Sequence, residues 1–228
     1  VRFRKDSAIR GVVVRINSPG GSVAPTQEIF REVQKLKEKK RVYISMGSVC
    51  ASGGYYIASA GEKVFANPST ITGSIGVIME QPVVEDLLKK IGVQTNTLKA
   101  GDLKDAGTPF RKMAESERLY FNALLQEIHL QFIKDVAAAR KLSVDVASKL
   151  SDGRVYTGNQ AKNLGLVDAL GSFYDTVDSL KEALGIKGDV TLVYGKRPFS
   201  FLKMLVGSLS REIASRLLSE PFQYRYQP

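Results

Sequence analysis

The sequence predicts an α/β domain with a largely parallel core sheet. Short apolar, β-branched runs recur along the chain, glycine-rich turns close the first two of them, and amphipathic helical patterns alternate with the runs. Residues 11–16, Gly-Val-Val-Val-Arg-Ile, read as a buried strand, and Asn17-Ser18-Pro19-Gly20-Gly21 as the tight turn that ends it. A helix should start at once, with Ser22 as its cap and Pro25 in its first turn. Ile29, Phe30, Val33 and Leu36 share one face of that helix, and the charged stretch 35–41 ends it in solvent. Residues 42–46 make the next strand, and Ser52-Gly53-Gly54 turns into a helix of small residues that reaches Ala58.

Further alternation follows, with a strand at 64–66, a helix at 83–91, a strand at 95–98 and a long amphipathic helix at 115–140. Helices at 143–150, 158–163 and 173–184 and a strand at 190–194 complete the regular part. Residues 199–218 place Phe201, Leu202, Leu205, Leu209, Ile213 and Leu217 at helical spacing, which favours packing on the core or a subunit over lying on a membrane surface. The tail 220–228 is polar and aromatic, and its stretch 222–226 suits an extended strand entering a groove.

Composition narrows the chemistry. The 228 residues are 43% hydrophobic and 25% charged, enough to bury the core of one large domain and unlike a disordered chain. A net charge of +10 favours anionic surfaces without choosing among them. The single cysteine, Cys50, excludes an internal disulfide, and with one histidine, His129, a zinc site or a Cys-His dyad would have no spare members. No metal or cofactor is expected. No run of about 18 apolar residues marks a membrane span. The basic opening without Met suggests a piece of a longer protein, whose missing part would carry an anchor.

Two turns stand out. Asn17-Ser18-Pro19-Gly20-Gly21 sits between a strand end and a helix start, where free backbone N–H groups suit a phosphate or the oxyanion of an acyl-transfer intermediate. Cys50-Ala51-Ser52-Gly53-Gly54 presents a hydroxyl at a sharp strand-to-helix turn among side chains too small to shield it. If Ser52 attacks a carbonyl, the N–H groups of Gly53 and of Gly21, or Gly20 in its stead, are placed to hold the oxyanion. His129 lies within a helical run between Ile128 and Leu130 and reads as structural, so a lysine is the better base. Spacing does not select one lysine, but Lys104 lies in a loop, Ala100-Gly101-Asp102-Leu103-Lys104-Asp105-Ala106-Gly107, where most others sit in solvated helical patterns. Asp102 and Asp105 flank it and would keep it charged unless they point away. Cys50 reads as a small buried hydrophobe.

Several ordered motifs then carry a resemblance over residues 11–167. They are Gly-Val-Val-Val-Arg-Ile-Asn-Ser-Pro-Gly-Gly-Ser (11–22), Ala-Ser-Gly-Gly-Tyr-Tyr-Ile-Ala (51–58), Thr-Gly-Ser-Ile-Gly-Val-Ile (72–78), Gly-Asp-Leu-Lys-Asp (101–105) and Asp-Gly-Arg-Val-Tyr-Thr-Gly (152–158). Together they resemble the Ser-Lys signal peptide peptidases of the SppA type, a membrane-associated branch of the Clp-crotonase superfamily.

The resemblance implies a Clp-crotonase-like β-α-β superhelix with a mostly parallel core sheet and C-terminal helices, divided into a peptidase domain at 1–185 and a C-terminal strand, amphipathic helix and tail at 186–228. It implies that Ser52 is the nucleophile, Lys104 the general base, Ser74 the hydroxyl that orients the lysine amine, and Gly21 with Gly53 the oxyanion hole. The implied substrates are cleaved signal peptides and other unfolded or membrane-derived peptides, met at the extracytoplasmic side of the cytoplasmic membrane. Implied partners are other copies of the chain, in a ring whose active sites share residues between subunits, and the membrane, through the missing N-terminal segment. No nucleic acid is implied. A processing protease for a stomatin-like membrane protein, a crotonase-like acyl-CoA enzyme and a non-catalytic scaffold remain as alternatives.

Overall fold

The computed structural model describes residues 2–195 and 223–225. After a short helix α1 (Arg2–Lys5), β1 (Gly11–Ser18) runs parallel to β3 (Arg41–Ala51), whose residues 42–47 are all buried. A strand covered on both faces needs no polar alternation, which accounts for the unbroken run Val42 to Met46. The crossover between the two consists of β2 (Gly20–Ser22) and α2 (Val23–Lys37). Phe30 and Val33 of α2 are buried, whereas Ile29 lies at the margin of the stripe and is half exposed. Ser22 does not cap α2 with its hydroxyl; its backbone is extended within β2, and its carbonyl accepts from Thr26 Oγ1 at 2.8 Å.

The other edge of β3 is shared. β4 (Lys63–Ala66) pairs with residues 43–45, and β5 (Ile71–Gly73) pairs with residues 49–51, both in parallel. β5 pairs in turn with the antiparallel β6 (Val155–Thr157), and β4 with the parallel β7 (Ala169–Leu170). The sheet is therefore mostly parallel, in the order β6-β5-β3-β4-β7 with β1 on the free side of β3. Strands β5 to β7 have two or three residues each, too short for a periodicity to show in the sequence.

Helices α3 (Gly53–Ser59), α4 (Glu85–Lys90), α5 (Glu115–Arg140), α6 (Val144–Lys149), α7 (Gly158–Asn163) and α8 (Phe173–Ala183) follow the expected order. Ser143, Thr157 and Ser172 cap α6, α7 and α8 through their hydroxyls. The strands expected at 95–98 and 190–194 do not form. Both segments are irregular, and Leu98 is 99% exposed, so no apolar face holds it in a sheet. The helical stripe at 199–218 lies outside the described residues. At the far end of the chain, β8 (Gln223–Arg225) runs antiparallel to β2, with Gly21 opposite Tyr224, in keeping with the extended tail expected there.

The core lies where α2, α3 and α5 meet the sheet. The Tyr56 ring of α3 is wedged between Phe30 at 4.9 Å and Phe132 at 4.5 Å between ring centroids, and Tyr55 donates from its hydroxyl to Leu166 O at 3.0 Å. The C-terminal end of α5 is tied down by Arg140, whose guanidinium meets Asp168 at 2.7 and 2.9 Å while Asp168 also accepts from Val64 N–H at 2.7 Å. This packing fixes α3 from two sides, and α3 begins one residue after Ser52. Replacing Phe132, which has no exposed surface, with Ala should therefore lower stability by about 3–5 kcal/mol, read from the urea unfolding midpoint.

Candidate active site

The site grows from the pairing of β3 with β5. In their register Ala51 stands opposite Gly73, and each is followed by a serine whose backbone enters the left-handed region: Ser52 at φ 53° and Ser74 at φ 50°. For a residue with a Cβ this conformation costs about 1–2 kcal/mol. It is held by main-chain bonds on both sides, Ser52 N–H to Gly73 O at 2.8 Å and Ser74 N–H to Arg154 O at 2.8 Å. Gly73 at φ 76° also lets the Tyr156 ring approach, since a Cβ there would stand 2.5 Å from it. The two serines thus share one end of the sheet.

Ser52 has no exposed surface, and its Oγ has no hydrogen-bond partner among the described residues. It stands at the cap position of α3 yet makes no capping bond, so the hydroxyl is not spent on the helix. Buried polar groups are ordinarily paired, and an unpaired one on a strained backbone marks a functional position. Directly behind it, Gly53 opens α3, where the first N–H groups have no intrahelical acceptor.

The first glycine turn abuts this one. A Cβ on Gly54 would stand 2.8 Å from Ser18 O, so the end of β1 and the start of α3 touch through bare backbone. Asn17 shapes the approach: β1 and β3 lose register there, its Oδ1 accepts from Val49 N–H at 3.1 Å, and Gly47 leaves room for its side chain. Gly20, at φ 119°, donates its N–H to Ser18 Oγ at 3.2 Å, whereas the space beside Gly21 is open within 4 Å of where a Cβ would lie.

Lys104 sits apart from this cluster in character. It is exposed, in a turn where its N–H donates to Gly101 O at 3.1 Å, and its amine has no hydrogen-bond or ion-pair partner among the described residues. Ser52 and Lys104 are therefore not bonded to each other within one chain. Asp105 does not hold the lysine: its carboxylate bonds Lys99 and Arg111, and these two contacts keep it below the usual carboxylate range. Cys50 is fully buried, and burial pushes its thiol far above the range in which a thiolate forms, which suits the hydrophobic role. His129 Nε2, on the long helix, is buried without a partner among the described residues. Among the described residues no group of three potential metal ligands occurs and no helix is long and apolar enough to cross a membrane.

Asn17, Thr72 and the carbonyl of Arg154 were not foreseen as parts of the site. Thr72 donates its hydroxyl to Cys50 O at 2.6 Å and so locks β5 to β3 just before the two serines. The turn Asp152-Gly153-Arg154 followed by Val-Tyr-Thr was the available signal for β6.

The model of Peptidase family S49 matches residues 34–187. A candidate signal peptide peptidase SppA of Enterococcus faecium is 36% identical over 208 residues, covering 91% of this chain and 60% of that protein. Protease 4 of Haemophilus influenzae is 33% identical over 188 residues, 82% of this chain and 30% of its own. The chloroplastic serine protease SPPA of Arabidopsis thaliana is 32% identical over 213 residues, 92% and 32% respectively. The chain thus spans no more than about three fifths of these relatives. The close approach at Gly54 yields a direct check on the geometry: Gly54→Ala forces the α3 start away from Ser18 O, and the unfolding midpoint should fall by about 1–3 kcal/mol in equivalent stability, against a near-neutral Gly21→Ala.

Proposed function

The chain belongs to Peptidase family S49, and from that premise we propose that it is a serine endopeptidase of the SppA type, with Ser52 as nucleophile and Lys104 as general base. The observation that carries this reading is the unpaired, buried Ser52 hydroxyl on a left-handed backbone, beside two glycine turns that offer main-chain N–H groups. That hydroxyl has no partner among the described residues, and because it is fully buried, against the unshielded hydroxyl the turn predicts, the site must open for a base and a carbonyl to reach it.

In the proposed reaction the neutral Lys104 amine takes the Ser52 proton as Oγ bonds to the peptide carbonyl carbon. The N–H groups of Gly53 and Gly21 hold the tetrahedral oxyanion; Gly20 is the weaker candidate because its N–H already meets Ser18 Oγ. The lysine ammonium then protonates the leaving amine as the C–N bond breaks. Water, deprotonated by the same amine, releases the acyl group and returns the proton to Ser52. Ser74, with the matching backbone conformation across the strand pair, orients the amine. The Ser52 hydroxyl has no partner among the described residues and Lys104 is exposed, which supports a dyad that closes between neighbouring copies in a homo-oligomeric ring. The exposed apolar side chains Leu98, Leu103 and Phe110, on the same irregular segment as Lys104, support a contact surface there.

The edge of β2 supports an extended peptide as substrate, since it already pairs with an extended stretch of this chain, Gln223–Arg225. Cleaved signal peptides and other unfolded or membrane-derived peptides fit that mode, and the net charge of +10 suits an anionic surface without choosing a side; work at the extracytoplasmic face of the cytoplasmic membrane is part of the same proposal. A Clp-crotonase-like superhelix is part of the same proposal. Ser52→Ala and Lys104→Ala should each reduce hydrolysis of a small-apolar fluorogenic peptide by about 10³-fold or more, and mixing the two inactive variants should restore part of it. Full turnover by either variant alone excludes the dyad.

A further inference from the structure

Residues 91–114, which carry Lys104, form turns and irregular chain with no helix or strand. The middle of this segment is nonetheless pinned. Lys99 Nζ donates to Asp105 Oδ1 at 2.5 Å and to Asp102 O at 2.7 Å. Arg111 reaches the other oxygen of Asp105, Oδ2, through Nε at 3.2 Å and Nη2 at 2.9 Å. The same guanidinium grips Glu117 in a two-pronged contact, Nη2 to Oε1 at 2.5 Å and Nη1 to Oε2 at 2.9 Å.

Glu117 is only 4% exposed, and its Oε2 also accepts the N–H of Ala114 at 2.9 Å, so it anchors the first turn of α5. The Arg111 hydrogen bonds, then that of Ala114, hold the Glu117 carboxyl down to about 2. Two-pronged contact with a buried carboxylate is worth more than an ordinary exposed ion pair and has a directionality that an ammonium lacks. One arginine thus connects the lysine turn to a helix whose far half lies in the core through Phe132 and Val136.

The charge arrangement has a second consequence. Asp105 follows Lys104 directly and would be a natural partner for its amine. Lys99 and Arg111 instead occupy one carboxylate oxygen each.

We propose that Arg111 is a positioning residue: by clasping Asp105 to Glu117 it sets the Lys104 turn relative to α5 and keeps the Asp105 carboxylate off the Lys104 amine. This rests on the reading of Lys104 as the general base. An anion beside an ammonium favours its charged form, so a freed Asp105 would delay the appearance of neutral amine to higher pH. Among the described residues the charged groups of this neighbourhood are Lys99, Asp102, Asp105, Arg111 and Lys112 in the segment, Glu85 of α4, which accepts the Lys112 N–H at 3.1 Å and pairs with Lys89 at 2.7 Å, and Glu117 of α5. Of these, Asp105 is the one adjacent in sequence whose two oxygens the clasp controls.

The test is the pH dependence of kcat/KM for peptide hydrolysis by the full chain, comparing wild type with Arg111→Met, Arg111→Lys, Lys99→Met and the double variant Arg111→Met with Asp105→Asn. Arg111→Met should lower kcat about tenfold or more with little change in KM, and should move the acid limb up by about half a pH unit or more. Adding Asp105→Asn should return the limb to its wild-type position while kcat stays low, because the turn is still untethered. Arg111→Lys should not restore kcat, since one ammonium does not span both carboxylates. Lys99→Met leaves the Arg111–Glu117 contact intact and so avoids a buried unpaired acid; it should shift the limb in the same direction by less, even if Arg111→Met fails to fold. An acid limb unmoved in Arg111→Met and Lys99→Met overturns the clasp. Lys104→Ala separates the two readings: if it retains turnover the base assignment fails, and if it is inactive while the limb is unmoved only the clasp fails.

Discussion

Two parallel strands that end together set the chemistry of this protein. β3 and β5 terminate at Ala51 and Gly73, and the hydrogen bond from Ser52 N–H to Gly73 O forces the chain into a conformation that a residue with a Cβ does not adopt unaided. Ser74 undergoes the same turn against Arg154 O. The strain of about 1–2 kcal/mol at each serine is small beside the burial that surrounds them, with Tyr55, Tyr56, Ile75 and Met46 all fully enclosed. What the strain secures is direction: the Ser52 hydroxyl is withheld from helix capping and has no partner among the described residues.

The rest of the site is backbone. Gly54 lets the end of β1 and the start of α3 meet without a side chain between them, and main-chain N–H groups are rigid donors that need no reorganisation when charge develops. The base is of the opposite kind, a long flexible side chain on an irregular segment. The Asp105, Arg111 and Glu117 contacts compensate for that irregularity by tying the turn to α5. A rigid nucleophile and a tethered base fit a site that is completed when surfaces meet, and the exposed apolar side chains near Lys104 belong to the same picture.

Much of this was legible in the sequence because the signals were local. The run Val42 to Met46, the turn into a helix at Gly53-Gly54 and the helices at Glu115–Arg140 and Gly158–Asn163 follow from periodicity and turn chemistry alone, whereas Gly20-Gly21, expected within a tight turn, begins the strand β2. Strands β5 and β7 were not legible, since two or three residues are held in place by neighbours distant in sequence, as Thr72 is by Cys50 O, and β6 had only the turn before it as a signal. The apolar alternation at 95–98 and 190–194 misled for the converse reason: β-branched residues without a neighbouring strand do not make one. The motif resemblance marked Ser52 and Ser74, but the shared left-handed backbone that relates them is a property of the strand register. The ion-pair clasp spans residues 99–117 and has no periodicity to announce it.

The most direct measurement on the central claim is the site and rate of modification by a serine-reactive fluorophosphonate, read by intact mass and peptide mapping on the assembled protein. The account predicts a single adduct at Ser52, formed at a rate that rises with pH and collapses when Lys104 is replaced with Ala. An adduct at another serine, or labelling of Ser52 that proceeds equally well without the Lys104 amine, would contradict it.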